Sequence, residues 1–256
     1  MAGRLSGKVA IVTGSTSGIG EGIAKGFARE GARVVVSGRR RERGEIVVAG
    51  IRATGGEAVF QQTDTRSPED CRQLCGRATQ EFGGLDILVN NAGVFPRALL
   101  EETTAELWDE IFEVNVRGAF LCAQAAIPLM RLRGGGSIIN IGSCNAFRPG
   151  ESLFAYGTSK SALYALTMNL ARVLARDRIR ANWITVGWVL TEKELEVQLA
   201  EGRDPAWLHD AEADRPMGQY NTVEDNVEAC VYLASDAAAR VTGANLNASA
   251  GMGVYL

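Results

Sequence analysis

The stretch Val9-Ala10-Ile11-Val12-Thr13-Gly14-Ser15-Thr16-Ser17-Gly18-Ile19-Gly20 joins a short apolar run to a glycine-rich turn. The apolar run predicts a buried strand, and the amphipathic segment 21–30 behind the turn predicts a helix. Gly14 would permit a tight turn, Gly18 would let a phosphate group approach the backbone, and Gly20 would let the helix pack on the strand. The N–H groups at the start of that helix favour a negative charge. The stretch therefore predicts a turn that binds the pyrophosphate of a dinucleotide; the alternative is a purely structural turn.

Strands of the same apolar character recur along the chain, and segments with helical spacing separate them. The further predicted strands cover residues 33–36, 87–89, 137–141 and 179–184. Near-continuous apolar strands are typical of a parallel sheet covered on both faces, and their alternation with helices indicates βαβ units. Since no internal repeat or linker divides the chain, we expect one α/β domain, residues 1–256, built on a doubly wound sheet.

Composition and charge exclude several classes of function. The chain has 256 residues, 46% hydrophobic, and a formal net charge of −3, which offers no general attraction for nucleic acid. It contains no apolar run of the roughly 20 residues that a membrane span needs, and no signal-peptide pattern at its start. The five cysteines follow no disulfide or zinc pattern, and no metal is expected. We therefore expect a cytoplasmic protein that binds neither nucleic acid nor membrane.

The end of the second predicted strand bears on which dinucleotide binds. An acidic residue there would accept hydrogen bonds from the ribose hydroxyls of NAD and repel a 2′-phosphate. This chain has Gly38 in that place, followed by Arg39, Arg40 and Arg41. Because a guanidinium can hold a phosphate through two hydrogen bonds, Arg39 favours NADP(H), with NAD(H) still possible. The alternative is that the arginine run is only the solvated start of a helix.

Tyr156 and Lys160 are four residues apart on a predicted helix, so their side chains lie on one face. A phenol with a pKa of about 10 is a poor base at neutral pH, but a neighbouring ammonium favours its ionised form. The spacing predicts that Lys160 lowers the pKa of Tyr156 and that Tyr156 is a general acid/base. Ser143 follows the predicted strand 137–141, at the sheet edge where open α/β sheets place their ligands.

In their order and spacing, several motifs resemble those of the short-chain dehydrogenase/reductase family over nearly the whole chain. They are Thr13-Gly-xxx-Gly-x-Gly20, Asp64, Asn90-Asn91-Ala92-Gly93, Asn115, Ser143 and Tyr156-Gly-Thr-Ser-Lys160. The resemblance implies a Rossmann-type fold, a mainly parallel seven-stranded sheet with helices on both faces. It also implies an NAD(P)(H)-dependent oxidoreductase that interconverts a secondary alcohol and a ketone, and a homotetramer or homodimer.

The resemblance assigns roles to four catalytic residues. Tyr156 would transfer the proton, Ser143 would hydrogen-bond the substrate oxygen, and Lys160 would also bind the nicotinamide ribose. Asn115, in a predicted long helix, would hold a water that links Lys160 to solvent; a helix-interior amide with structural hydrogen bonds is the alternative.

The resemblance also implies a set of residues that bind the cofactor. Asp64 would accept a hydrogen bond from the adenine amino group, with a plain turn-forming aspartate as the alternative. The full set is Gly14, Thr16, Ser17, Gly18, Ile19, Gly20, Arg39, Asp64, Thr65, Asn91, Ala92, Gly93, Tyr156, Lys160, Gly187, Val189 and Thr191.

The chain departs from the family pattern at two places. After the sixth strand the family usually has Pro-Gly, whereas this chain has Val186 before Gly187, which makes the backbone beneath the nicotinamide less rigid. Near the C-terminus the family commonly has an aspartate followed by two glycines, and in segment 246–253 the aspartate is missing. The second change bears on subunit assembly more than on chemistry.

The residues expected around the substrate do not select one substrate. The segment 191–220 resembles a helical lid, and apolar, aromatic and charged side chains surround the expected pocket. They are Val94, Phe95, Arg97, Cys144, Asn145, Phe147, Arg148, Trp188 and His209, of which His209 is interpreted as a surface or packing residue. A sugar or polyol, a hydroxy acid or oxo acid, and a small cyclic ketone all fit. A non-catalytic dinucleotide sensor or scaffold on the same fold is the alternative to an enzyme.

Overall fold

A computed structural model describes residues 3–254 and contains one sheet of seven parallel strands in the order β3-β2-β1-β4-β5-β6-β7. The strands are β1 (Val9–Val12), β2 (Arg33–Gly38), β3 (Glu57–Gln62), β4 (Ile87–Asn90), β5 (Gly136–Ile141), β6 (Ile179–Val186) and β7 (Asn245–Ala248). The strand order and the helices on both faces confirm the Rossmann-type doubly wound fold.

The central strands are buried on both faces, as their near-continuous apolar runs predict. Every residue of β1 and of β4 is buried. The predicted strands lie within one residue of the observed ones, except that β2 and β6 each extend two residues further at their carboxyl ends. These extensions bring Gly38 and Val186 to the carboxyl edge of the sheet.

Nine α-helices connect or follow the strands. They are α1 (Gly18–Arg29), α2 (Arg41–Ala53), α3 (Pro68–Phe82), α4 (Ala105–Phe112), α5 (Gly118–Leu132), α6 (Phe154–Leu174), α7 (Glu192–Ala200), α8 (Pro205–Ala213) and α9 (Val223–Ala234), counted over residues 3–254. One apolar core contains residues of α1, α2 and α9, and a second contains residues of α3, α5 and α6 on the opposite face of the sheet. Within the described chain, no helix is long and apolar enough to cross a membrane.

The segment expected to form a lid contains α7 and α8. Both helices begin with a side-chain cap: Thr191 accepts a hydrogen bond from the Glu194 amide, and Asp204 accepts one from the Trp207 amide. Such caps bind N–H groups that have no partner within the helix. The segment is therefore helical, as its sequence predicts.

Candidate functional site

The glycine-rich turn after β1 meets the loop after β4 at the point where the strand order reverses. Open α/β sheets bind ligands in the crevice at such a point. The Thr13 hydroxyl accepts hydrogen bonds from the amides of Asn91 and Ala92, both at 3.0 Å. The Asn91 side chain donates to the carbonyl oxygens of Thr13 at 2.9 Å and Gly14 at 3.1 Å. Asn91 therefore holds the turn in place by hydrogen bonds within the protein.

Two positions of the turn require glycine because neighbouring atoms lie too close for a Cβ atom. A Cβ atom at Gly14, which has a φ of +63°, would lie 2.8 Å from the Cα atom of Ala92. At Gly20 it would overlap the Asn91 amide and lie 2.5 Å from the Gly14 carbonyl oxygen. The close approach at Gly20 is thus to the turn and to Asn91, and not between helix and strand as the sequence pattern predicts.

The N-terminus of α1 fits an anionic group. Ser17 is the N-cap residue with an extended backbone, yet its side chain does not cap the helix. Instead, the Arg40 guanidinium donates to Ser17 Oγ at 2.9 Å and to Thr16 Oγ1 at 3.3 Å. Amide groups of the first turn together with a guanidinium suit a phosphate of a dinucleotide.

The arginine that contacts the turn is Arg40, whereas the sequence pattern favours Arg39 as the phosphate ligand. Arg39 is exposed, and its positive charge helps to lower the pKa of Asp64, so it lies near that carboxylate. Neighbouring residues at a strand end point in different directions, and the sequence alone does not determine which arginine turns toward the glycine loop. The structure therefore brings both Arg39 and Arg40 near the expected cofactor site.

Asp64 has a protein partner. Arg66 donates to both of its carboxylate oxygens, at 2.6 Å from Nη2 to Oδ2 and at 3.0 Å from Nε to Oδ1. This ion pair lowers the pKa of Asp64. The Arg66 amide also donates to Oδ1 at 3.0 Å. This bond is typical of a turn-forming aspartate, the alternative to a role in adenine binding. A carboxylate has further lone pairs, so contact with an adenine amino group stays a prediction.

The other expected cofactor residues line the same crevice or pack beneath it. Ile19 packs against the core and Thr65 is buried against Gly118, at the start of α5. Gly187 and Val189 lie after β6 beside Asn221, and a Cβ atom at Gly18 would lie 3.4 Å from the Thr191 side chain. The turns after β1 and β6 are therefore adjacent, as the expected set requires.

Ser143, Tyr156 and Lys160 come together at the carboxyl end of β5. Lys160 is buried, and its Nζ donates to the carbonyl oxygen of Ile141 at 2.8 Å and lies 5.7 Å from the centroid of the Tyr156 ring. The Ser143 hydroxyl is buried, accepts from the Asn145 amide at 3.1 Å, and interacts with the phenol of Tyr156. The arrangement places two hydroxyls and an ammonium group around one point at the sheet edge.

The expected lowering of the Tyr156 pKa is wrong for this structure. Desolvation raises the pKa of Tyr156 to about 12, and the hydrogen bond with Ser143 offsets only part of that increase. Desolvation lowers the pKa of Lys160 to about 8. Burial acts on each group in the direction that disfavours its charged form. Tyr156 is therefore a protonated phenol at neutral pH.

Asn115 lies in a π-helical turn (Glu113–Arg117) that joins α4 to α5. Its side-chain oxygen accepts from the Val94 amide at 2.8 Å, and its nitrogen donates to the Val94 carbonyl at 2.9 Å and to Ser159 Oγ at 3.0 Å. These bonds match the alternative of a structural amide and link the loop after β4 to α6. A π-turn within a helix is frequent at functional sites and could not be foreseen from helical spacing. The water relay stays a prediction.

The expected substrate side is covered by an ion-pair network between the loop after β4 and α7. Glu194 is buried, and its Oε1 accepts from Arg97 Nη2 at 2.9 Å and from the Trp188 indole at 2.9 Å. Arg97 also donates to Glu201 at 2.6 Å. Arg97 is therefore neutralised by two carboxylates of the lid segment, while His209 is exposed as expected.

This network predicts the effect of removing Arg97. Arg97→Met leaves the buried Glu194 carboxylate without its cation but with its hydrogen bonds from Trp188 and Gln198, so we expect the free energy of unfolding to fall by about 2 kcal/mol. Urea unfolding followed by fluorescence measures the change. The double variant Arg97→Met/Glu194→Gln has no unpaired charge, so it should recover part of the lost free energy of unfolding. Equal stability of the single variant and the unchanged protein would contradict the network.

Comparison with known proteins agrees with this site. A family model described as enoyl-(acyl carrier protein) reductase matches residues 14–253. The chain is 35% identical to the D-beta-hydroxybutyrate dehydrogenase of Cupriavidus necator, covering 96% of this chain and 98% of the relative. It is 39% identical to the 7alpha-hydroxysteroid dehydrogenase of Clostridium sardiniense, covering 94% and 91%. A short-chain type dehydrogenase/reductase from Mycobacterium marinum superposes with a TM-score of 0.89 at 34% identity, covering 97% and 96%.

A chain with this fold and these relatives is an oxidoreductase that depends on a nicotinamide dinucleotide and acts on the alcohol/carbonyl couple. It belongs to the short-chain dehydrogenase/reductase family, as the motifs predicted.

Proposed function

We propose that the chain interconverts a ketone and a secondary alcohol with NADP(H), using Tyr156 as the proton-transfer group, Lys160 as its charged neighbour and Ser143 as the ligand of the substrate oxygen. The observation that carries this proposal is the convergence of these three side chains at the carboxyl end of β5, beside the glycine-rich turn. Relatives named for the dehydrogenation of hydroxybutyrate and of a hydroxysteroid support the alcohol/ketone couple.

The cofactor, when bound, supplies or accepts the hydride at its nicotinamide ring. The residues of the chain supply the proton and the orientation. Tyr156, protonated at neutral pH because its pKa is raised to about 12, is suited to donate its proton to the oxygen of a ketone as that oxygen gains negative charge. Ser143 donates a hydrogen bond to the same oxygen and keeps it in reach of the phenol. In the reverse direction Tyr156 takes the alcohol proton.

Lys160 provides a positive charge next to the phenol. Since its pKa is lowered to about 8, it is mostly protonated at neutral pH, and the ammonium stabilises the phenolate that forms when Tyr156 gives up its proton. Gly93 is the backbone neighbour of this group, since a Cβ atom there would lie 3.7 Å from Lys160 Nζ. We propose that Asn115, which holds the loop after β4 by its bonds to Val94, is a positioning residue for this group as well as the expected site of a relay water.

The preference for NADP(H) gives a second prediction, carried by Arg39 and Arg40 together. Arg40→Gln and Arg39→Gln should each weaken the binding of NADPH about tenfold, because each removes a charged hydrogen bond to the 2′-phosphate, and should leave NADH binding nearly unchanged. Fluorescence titration of the reduced cofactors measures both. Arg172→Gln, an exposed arginine of α6, is the matched control. Equal loss of both cofactors would contradict a role in binding the 2′-phosphate and indicate instead that the arginine binds the pyrophosphate, which both cofactors contain.

The reaction is tested by following nicotinamide absorbance with the purified protein over sugars, polyols, hydroxy acids, oxo acids and cyclic ketones. An enoyl thioester is included because of the description of the matching family model. Turnover of a carbonyl or alcohol supports the proposal. Cofactor binding without turnover of any compound would favour a dinucleotide sensor, and turnover of the enoyl thioester alone would overturn the alcohol/ketone assignment.

We also propose a homo-oligomer, a tetramer or a dimer, located in the cytoplasm, in which segment 191–220 is the lid of a single catalytic domain. Exposed Phe120 of α5 and Val173 of α6, 44% and 65% exposed, support an interface on these helices. Four buried cysteine thiols, those of Cys71, Cys75, Cys122 and Cys230, support a reducing compartment. Light scattering of the purified protein measures the oligomeric state.

A further inference from the structure

Trp188 is the centre of an aromatic and cationic cluster at the carboxyl end of β6. Its ring lies 6.0 Å from that of Trp207 and 5.3 Å from that of Tyr220, measured between centroids. The Arg215 guanidinium carbon lies 5.0 Å from the Trp188 ring centroid. Since Trp188 directly follows Gly187, this cluster borders the crevice in which the site residues lie. We call Trp188, Trp207, Tyr220 and Arg215 the Trp188 cluster.

Three arginines lie in or next to this cluster, and they differ in their partners. Arg97 is paired with Glu194 and Glu201, and Arg203 lies 3.8 Å from Glu201 and donates to Gln198. Arg215 donates only through Nε, to the Ala211 carbonyl at 2.7 Å. Within residues 3–254, no carboxylate lies within 4.0 Å of Arg215 and its two terminal nitrogens have no hydrogen-bond partner. Arg215 therefore keeps a full positive charge and its planar pair of donors for a ligand.

Arg215 is also close to the catalytic strand end. Its charge lowers the pKa of Cys144 in part, against the larger effect of burial, and Cys144 is the residue after Ser143. The guanidinium thus lies near the residues that follow β5 and β6, the two strands whose carboxyl ends border the expected substrate pocket.

We propose that Arg215 binds the carboxylate of the substrate, so that the substrates are hydroxy acids and the corresponding oxo acids. A guanidinium presents two parallel N–H groups that match the two oxygens of a carboxylate, and the Nε bond to Ala211 and the contact with the Trp188 ring restrict its position. Glu194, which accepts the indole N–H of Trp188, is already paired with Arg97, so its carboxylate is not available to Arg215. This inference rests on the proposed alcohol/ketone reaction and selects one of the substrate classes that the sequence left open.

The test compares each acid with its neutral isostere. Kinetics are measured with straight-chain 2-oxo and 3-oxo acids of four to six carbons and with their methyl esters, for the unchanged protein, Arg215→Gln, Arg215→Lys and the control Arg172→Gln. We expect the unchanged protein and the control to prefer at least one acid over its ester about 10- to 100-fold in kcat/KM. Arg215→Gln should lose that preference by lowering kcat/KM for the acid alone, and Arg215→Lys should retain part of it.

A second measurement separates failure of this inference from failure of the reaction. Calorimetric titration of the same acids and esters, with NADP+ present, reports binding without turnover. Acid binding that depends on Arg215 supports the carboxylate site even if no compound is turned over, in which case the reaction assignment fails instead. If the unchanged protein used acids and esters equally, the carboxylate site would be overturned and the reaction would stand. If Arg215→Gln lost activity equally toward acids and esters, the carboxylate site would also be overturned, and Arg215 would only support Trp188.

Discussion

Tyr156→Phe is expected to lower kcat for ketone reduction by about 100- to 10,000-fold, the range that a positioned general acid contributes. The substitution removes one hydroxyl and retains the ring, which packs edge-on against Phe95 at 6.1 Å between centroids. The loss should therefore appear in the chemical step, with binding of NADPH and the free energy of unfolding nearly unchanged. Single-turnover reduction of a ketone by bound NADPH measures that step.

Tyr164→Phe is the matched control for this prediction. Tyr164 lies on the same helix, one turn beyond Lys160, and its ring packs at 5.3 Å from that of Trp183. Removing its hydroxyl changes the helix equally little and should leave kcat unchanged. If Tyr156→Phe retained more than half of the activity, another group would have to supply the proton, and the assignment of Tyr156 would be wrong.

Features set by local periodicity were predicted well from the sequence. β1, β2, β4, β5 and β6 are apolar runs that are mostly buried, so their positions follow from composition along the chain. β7 has the sequence Asn-Leu-Asn-Ala and is partly exposed, so no apolar run predicts it. The Tyr156–Lys160 pair follows from the four-residue spacing of a helix, and the structure brings both together with Ser143 because the carboxyl ends of parallel strands share one edge.

Features set by contacts between distant loops could not be predicted. The bonds from Arg40 to the glycine turn, from Arg97 to α7 and from Asn115 to Val94 join segments whose relative positions depend on the whole fold. The error on the Tyr156 pKa has the same origin. Helical spacing brings a charge near the phenol, but how far both are removed from water depends on everything packed around them.

Lys160→Met gives the second large effect, and it acts on activity and stability in opposite directions. Methionine fills the buried space but has no charge to stabilise the phenolate, so the reduction rate should fall by about 100-fold or more. In the unchanged protein, kcat/KM for reduction should decrease above about pH 8, where Lys160 loses its proton. The variant, without that group, should show no such decrease. A pH profile of kcat/KM on both proteins measures the difference.

The effect on stability follows from the same pKa. Lys160 has an ordinary pKa of 10.5 and a folded pKa of about 8. Between these values the unfolded chain binds more protons at Lys160 than the folded one, so the free energy of unfolding rises with pH across that window. Below pH 8 the buried ammonium destabilises the fold by about 3 kcal/mol, since one pKa unit corresponds to about 1.4 kcal/mol. Lys160→Met removes this destabilising charge, but loss of the hydrogen bond to Ile141 offsets about 1 kcal/mol of the stability so gained.

We therefore expect Lys160→Met to be about 1–2 kcal/mol more stable than the unchanged protein at pH 7, and to lose that advantage by pH 9.5. The raised pKa of Tyr156 contributes with the opposite sign, but only from about pH 10 to 12, outside this comparison. Urea unfolding at both pH values measures the change, with Lys25→Met, an α1 lysine, as the control. A variant that is less stable at pH 7 would mean that Lys160 is held as a favourable ammonium, with a pKa well above 8. A more stable but inactive variant would mean that the fold accepts a destabilising buried charge at the one position where proton transfer needs it.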